Sequence, residues 1–438
     1  MPHSVPKHVY CLTLGCSKNK ADSELIAGAL ADAGAEVVRE VELADVAIVN
    51  TCGFIRSAVE ENISEILGLI QMKKEGHLAL VGVVGCLVAR YGDELKLNLP
   101  EVDFWAGCDD IKSILGGLSL KSRNDAAGRQ RLPGDTALIR YLKISEGCDK
   151  ACSYCAIPSI KGPARSRAVR DLVDEAGVLA RDGAAEICLV AQDLSSYGAD
   201  RGEAGGLISL LDVLESSIPP HIWLRLLYLQ PSGVDRALLE RVANGRQVLP
   251  YLDIPVQHSV PRILELMNRG GGCDNLPWIF ETARAIRPDF ALRTTCMVGF
   301  PGETRADFAN LLKFIGRIRP DRLGAFEFSP EEGTPAAEFP GQVSRRVKRA
   351  RMERLMSLQE DISLSRQEMF VGRELDVMID SVGGGGYAEG RSFREAPEVD
   401  GIIELSGVPS GVSPGDIIKA AVTGAFEHDL EATALAKE

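Results

Sequence analysis

Three cysteines in one short run, Cys148, Cys152 and Cys155 of SEGCDKACSYCAIP, constrain this chain more than any other feature. Thiolate is the natural protein ligand of iron-sulfur centres, and a C-x3-C-x2-C loop can hold three irons of a 4Fe-4S cluster. The fourth iron is then left open to a substrate. The apolar run YLKISEGC leads directly into this loop, so the triad is expected at the end of a strand. The alternatives are a zinc knuckle or a chance cluster. Zinc sites usually pair two C-x2-C units, and no second pair is present.

A second set of cysteines follows a longer rhythm. Cys16 ends VYCLTLGC, Cys52 follows DVAIVNTC and Cys86 ends HLALVGVVGC, each at the carboxyl end of a β-rich segment. Helix-like stretches, Asp22 to Ala33 and Arg56 to Lys74, separate them with apolar residues at three- and four-residue spacing. Each interval is about one β-α repeat of a parallel sheet, and ligands collect where such strands end. Three thiols on one edge make a second candidate cluster site, again with an open iron. Any one of them alone reads as a buried core residue.

The other cysteines carry no such pattern. Cys188 and Cys296 lie inside the apolar strands AEICLVA and LRTTCMVGF; Cys108 and Cys273 sit near Gly and Asp in expected turns. Cys11 shares a segment with Cys16, but strand alternation points the two to opposite faces, so it is left out of the ligand set.

At 438 residues, 45% of them hydrophobic, the chain is long enough for two or three domains with full cores. MPHSVPKHVY has no apolar stretch of signal-peptide length, and no run approaches a membrane span. Eleven cysteines, mostly in strands, do not read as a disulfide framework, so a cytoplasmic protein is expected. The net charge of −13 argues against a polyanion as the main partner.

Residues 1 to about 120 form a first α/β unit, and KSRNDAAGRQRLPGDTA reads as a linker. Six candidate strands follow: YLKISEGC, AEICLVAQD, IWLRLLYL, YLDIPVQH, ALRTTCMVGF and RLGAFEFSP. Six β-α units predict a partial TIM-like barrel over 134–366, with its chemistry at the carboxyl ends of the strands. After the fifth strand, GFPGET offers Gly299 and Gly302 for close backbone approach and Glu303 as a hydrogen-bond acceptor. A long helix is expected from Val343 to Met369, its basic start (Arg345, Arg346, Lys348, Arg349, Arg351, Arg354) forming a solvated face. From 367 to 438 the period changes to two, as in a small antiparallel barrel of OB type. Residues 371–438 carry five basic and thirteen acidic side chains, a poor composition for gripping RNA.

Taken together, the chain resembles the methylthiotransferases, a family of radical S-adenosylmethionine enzymes. The resemblance covers nearly the whole chain, down to the aromatic Tyr154 before the last cysteine of the loop. GCSKNKADSE is similar to the GCPKNLVDSE of the branch that modifies a protein, whereas members acting on tRNA usually carry GCQMN. RLLYLQP, YLDIPVQH and REAPEVDG also look like the protein-modifying branch. Ser17 replaces a usual proline, and Glu395 stands where aspartate is common; neither is a ligand.

The resemblance implies an amino-terminal unit with an auxiliary 4Fe-4S cluster on Cys16, Cys52 and Cys86. It implies a radical barrel with a 4Fe-4S cluster on Cys148, Cys152 and Cys155, and a carboxy-terminal TRAM barrel that recognises substrate. The implied reaction converts a carbon-hydrogen bond at the β-carbon of an aspartate in small-subunit ribosomal protein number twelve into carbon-SCH3. One S-adenosylmethionine supplies the methyl group and a second is reductively cleaved; Tyr154 and Ile157 would flank its adenine, with Gly299 and Glu303 in contact. A low-potential donor such as flavodoxin or ferredoxin would supply electrons, with neither membrane nor nucleic acid as partner. The acidic carboxy-terminal unit suits a basic ribosomal protein, with Glu395, Glu398 and Asp400 expected on the docking face. A tRNA adenosine methylthiotransferase and a non-enzymatic iron-sulfur electron carrier remain open alternatives.

Overall fold

The computed structural model describes residues 7–122, 131–134, 136–203, 205–269 and 276–435. Cys273 lies outside them. The amino-terminal unit runs β1 (His8–Thr13), α1 (Ser17–Asp32), β2 (Glu36–Val38), β3 (Val46–Thr51), α2 (Arg56–Lys74), β4 (Leu80–Gly85), α3 (Cys86–Asn98), β5 (Phe104–Ala106) and α4 (Ile111–Gly117). Its five strands form one parallel sheet in the order β2-β1-β3-β4-β5. The central strand, VAIVNT, is buried at every position because helices cover both faces. Helix α2 follows the expected stripe, with Ile66, Leu69 and Ile70 inward. Helix α1 starts earlier than the spacing predicts, directly after Cys16.

The second unit continues with β6 (Ile139–Lys143), a short antiparallel pair β7 (Ser145–Glu146) and β8 (Arg165–Ser166), and α5 (Ile157–Lys161) between those two. Then come α6 (Val169–Arg181), β9 (Glu186–Val190), α7 (Gly206–Ser217), β10 (Trp223–Leu226), α8 (Arg236–Ala243), β11 (Tyr251–Asp253), α9 (Pro261–Leu266), α10 (Leu276–Ile286), β12 (Ala291–Val298), α11 (Arg305–Ile318) and β13 (Arg322–Glu327). β6, β9 and β10 pair in parallel, as do β11, β12 and β13. A parallel bridge between Leu224 and Val248 joins the two sets. Among the described residues β6 and β13 share no pairing, so the six-stranded barrel is open on that side. All six strands read from the sequence are present, and Cys188 and Cys296 are buried in two of them.

Buried ion pairs fix the first unit to the barrel. Glu24 of α1 takes Arg131 at 2.6 Å and Arg140 of β6 at 2.8 Å, and Arg131 also reaches Glu175 at 2.7 Å. Asp22 pairs with Lys143. Arg131 belongs to the stretch read as a solvated linker; its fully buried guanidinium makes that end of the stretch a clamp instead.

Helix α12 (Arg345–Glu368) leads into β14 (Glu374–Val382), β15 (Ala388–Arg391), β16 (Ile403–Ser406), β17 (Ile417–Ala425) and β18 (Leu430–Ala434), a closed barrel. Four of its pairings are antiparallel and one, β16 with β18, is parallel. The basic start of α12 is only partly a solvated face. Arg345, Arg346, Arg349 and Arg354 are exposed, but Lys348 is buried and donates to the Phe328 carbonyl, and Arg351 reaches Glu303.

The loop between β15 and β16 overturns one expectation. Glu395 is 0% exposed, accepting from Ser392 and facing Arg322 at 3.3 Å. Asp400 has a fully buried carboxylate held by Arg293 at 2.5 Å and by the Tyr251 hydroxyl at 2.7 Å. Only Glu398 of the three faces solvent, paired with Lys20. Nearby, Arg391 joins Glu186 at 2.6 Å, and Arg394 and Arg366 converge on Asp321. These charges plug the radical barrel from its carboxy-terminal neighbour and do not form a docking face. Net charge misled here because a count cannot show which acids are already paired inside the fold.

Candidate functional site

The Cys148 loop hangs from the carboxyl side of β6, pinned along its length. Asn268 Nδ2 donates to the Ala151 carbonyl at 2.7 Å, Ser153 Oγ to Leu266 at 2.7 Å, and the Ala336 N–H to the Ser153 carbonyl at 2.8 Å. Gly147 has φ +82°, and a Cβ there would lie 2.1 Å from the Pro163 carbonyl oxygen. Only glycine admits that approach. The Lys150 and Ile157 N–H groups each sit 3.4 Å from a cysteine sulfur, Cys148 and Cys155 respectively. Burial pushes the Cys148 thiol up, and the Cys155 thiol up to about 12.

Cys16, Cys52 and Cys86 come from three separate places. Cys16 caps α1 after β1, Cys52 follows β3, and Cys86 opens α3 after β4. Since β1, β3 and β4 are neighbours in one parallel sheet, the three thiols collect on one edge. The packing is close: a Cβ on Gly15 would stand 2.7 Å from Cys52 Cβ, and one on Gly53 2.9 Å from the Cys86 carbonyl. Burial opposes ionisation of Cys16, but the Lys18 ammonium and the N–H groups of Asn19 and Lys18 outweigh it and hold that thiol below its ordinary value. Burial pushes Cys52 up, and Cys86 up to about 11. Cys11 stays within the sheet's own apolar core, where burial raises it to about 12.

The two sets approach each other at the crevice where the first unit meets the barrel. Cys86 packs in a small buried cluster with Ala156 and Ile160, residues that directly follow the barrel loop. Lys161 of α5 donates to Cys108 at 3.1 Å and lies 3.5 Å from Glu146. Cys108 is therefore a buried partner of a lysine across the two units, which its turn-like sequence did not reveal. Among the described residues no three His, Cys, Asp or Glu side chains converge to hold a single metal ion. Thiolates that bind different irons of one cluster stand further apart than ligands sharing an ion. The all-sulfur donor sets, three at a time, fit iron-sulfur clusters better than zinc.

Around the barrel loop, Tyr154 is half-buried against the core and Ile157 opens α5. Arg269 went unnoticed in the sequence, where no spacing marks it. Its guanidinium donates to the Pro255 carbonyl at 2.7 Å and the Tyr154 hydroxyl at 3.3 Å, beside Cys152. Glu303 accepts from the Gly299 N–H and pairs with Arg351 at 3.0 Å; its free oxygen lies 3.7 Å from His258 Nε2. It braces the GFPGET turn from inside.

Known proteins agree with this architecture. Family models match residues 8–107 (Uncharacterized protein family UPF0004), 142–315 (Radical SAM superfamily) and 371–435 (TRAM domain). The ribosomal protein uS12 methylthiotransferase RimO of Anaeromyxobacter sp. (strain Fw109-5) is 43% identical over 451 residues, covering 98% of this chain and 93% of its own. The same-named protein of Aquifex aeolicus (strain VF5) is 41% identical over 426 residues, covering 96% and 95%. This chain belongs to the RimO family. Among solved structures, the radical S-adenosylmethionine methyltransferase TsrM from Kitasatospora setae, with cobalamin and a [4Fe-4S] cluster bound, aligns with a TM-score of 0.55 at 14% identity, over 75% of this chain and 74% of that one. At that identity the likeness is one of fold. As a RimO-family member the chain is a radical S-adenosylmethionine methylthiotransferase that works with an iron-sulfur cluster and S-adenosylmethionine. No described helix is long and apolar enough to cross a membrane.

Proposed function

We propose that this enzyme methylthiolates the β-carbon of an aspartate in ribosomal protein uS12 and that it holds two 4Fe-4S clusters for the purpose. Cys148, Cys152 and Cys155 would hold the cluster of the barrel, and Cys16, Cys52 and Cys86 the auxiliary one. The observation that supports the reading is the seating of Cys86 against Ala156 and Ile160, which brings the sheet edge of one thiol set against the residues that follow the other. When bound, the clusters and S-adenosylmethionine supply the homolytic chemistry and the methylthio group, which no ordinary side-chain base could provide at an unactivated methylene.

The chain's own residues bind, orient and exclude water. Tyr154 and Ile157 would flank the adenine and the Gly299 backbone would approach the cofactor, while Glu303 keeps the Gly299 turn in shape by accepting from its N–H. The buried pairs of Glu24 and Asp22 hold the two sheet edges in register, so the crevice keeps its width. The units divide at 1–120, 134–366 and 367–438. Electrons come from a low-potential flavodoxin or ferredoxin in the cytoplasm.

Mass spectrometry of uS12 from a strain lacking this protein tests the reading. The methylthio mark should vanish from the aspartate and return on complementation. An unchanged uS12 together with altered tRNA nucleosides would replace it with the tRNA reading.

A further inference from the structure

Among the described residues, the buried cations where the first unit meets the barrel have direct anionic or carbonyl partners. Lys143 pairs with Asp22 and Glu146, Lys161 with Glu146, Arg131 and Arg140 with Glu24, and Arg269 with a carbonyl. Lys18, half-buried two residues after Cys16, makes no ion pair or hydrogen bond through its ammonium among the described residues. Its Nζ instead stands 4.1 Å from the centre of the Tyr228 ring. Tyr228 follows β10 at the barrel mouth, held in the left-handed region at φ +69°, and its hydroxyl lies 3.4 Å from Ser17 Oγ. The ammonium is thus carried by the first unit, two residues from Cys16, but anchored over the second. A partly desolvated ammonium with no direct hydrogen bond keeps its donors available, and a carboxylate arriving there would engage them.

We propose that Lys18 receives the side-chain carboxylate of the substrate aspartate and thereby positions its β-carbon. This rests on the function proposed above. The reacting carbon is bonded directly to the carboxylate carbon, so a charge-assisted hydrogen bond to the carboxylate keeps it two bonds from the anchored oxygen. Tyr228 keeps the ammonium aimed into the crevice when substrate is absent.

The test compares two peptides spanning the target loop of uS12, one with Asp and one with Asn at the modified position, on the cluster-loaded enzyme. Fluorescence anisotropy gives binding, and mass spectrometry gives product. Wild type should form methylthiolated product on the Asp peptide and bind it about tenfold tighter than the Asn peptide. Lys18→Met should bring the two affinities to within about twofold, and Lys18→Arg should restore the preference. Because the ratio is read within one variant, a loss of folded protein cancels. A tenfold preference surviving in Lys18→Met, or no preference in a wild type that makes product, overturns the Lys18 assignment alone. A wild type that makes no product overturns the function on which it rests. Loss of iron in Lys18→Met with the preference intact would assign the ammonium to the auxiliary cluster instead.

Discussion

The two cysteine sets have the same size and opposite origins. Cys148, Cys152 and Cys155 lie within one loop, whose shape is held by hydrogen bonds with Asn268, Leu266 and Ala336 of later barrel segments. Cys16, Cys52 and Cys86 meet only because β1, β3 and β4 are neighbours in a parallel sheet. One set is therefore built by a turn and the other by a fold. A loop can keep its geometry while the sheet is damaged, but the sheet set requires its whole unit, and this difference can be attacked directly.

The largest effect should come from the loop. Replacing Cys148, Cys152 and Cys155 with Ala should abolish cleavage of S-adenosylmethionine and all product, remove about half the iron, and leave an auxiliary cluster visible by Mössbauer spectroscopy. Cleavage surviving in this variant would show that the radical site lies elsewhere. Replacing Cys16, Cys52 and Cys86 should be narrower in consequence. Cofactor cleavage continues, while methylthiolated uS12 is lost; product from that variant would return the three residues to the role of core cysteines.

This contrast also explains what could be read in the sequence. The loop set is visible as spacing, and its six surrounding strands are visible as apolar runs. The sheet set required a further step, the expectation that strand ends gather on one edge. Three features stayed hidden. Arg131 looked like linker because a polar stretch does not reveal that Glu24 and Glu175 wait for it. Glu395 and Asp400 looked like surface because their partners, Arg322 and Arg293, lie far back in the chain. Lys161 and Cys108 meet across two units, and neither carries a local signal. All three are long-range pairings of charge or sulfur, for which sequence offers no period.

In the cluster-free protein Cys16 of the sheet set should differ in thiol reactivity from Cys155 of the loop set. The thiolate is the nucleophile, so labelling follows the fraction ionised. Cys16 is held below its ordinary value by the neighbouring Lys18 ammonium and N–H groups, which outweigh burial, whereas burial lifts Cys155 to about 12. At pH 8 iodoacetamide should alkylate Cys16 at least about a hundredfold faster than Cys155, as read by peptide mass spectrometry. Raising the pH should speed Cys155 through the whole accessible range, because it remains mostly protonated, while Cys16 levels off early. Equal rates at pH 8 would mean that Lys18 and the neighbouring N–H groups give Cys16 no special environment.

The smallest effects, and the sharpest for the comparison, should come from the glycines beside each set. Gly147 and Gly15 both hold positive φ, +82° and +104°. Gly147→Ala drives a methyl group against the Pro163 carbonyl, which is backbone and cannot rotate away. Gly15→Ala meets Cys52 Cβ at 2.7 Å, an atom also fixed by its backbone, but less closely than the 2.1 Å approach at Gly147. Each costs about 1–3 kcal/mol of strain, with Gly147→Ala at the upper end. The expected result is a modest fall in Tm for both, with iron lost mainly from the barrel cluster in Gly147→Ala and mainly from the auxiliary cluster in Gly15→Ala. Measuring iron per chain alongside cofactor cleavage separates the two, since only the first variant should slow cleavage. If Gly15→Ala empties both sites equally, the ion pairs of Glu24 and Asp22 couple the sheet to the barrel more tightly than their separate origins imply, and the loop cannot be treated as independent of the fold that faces it.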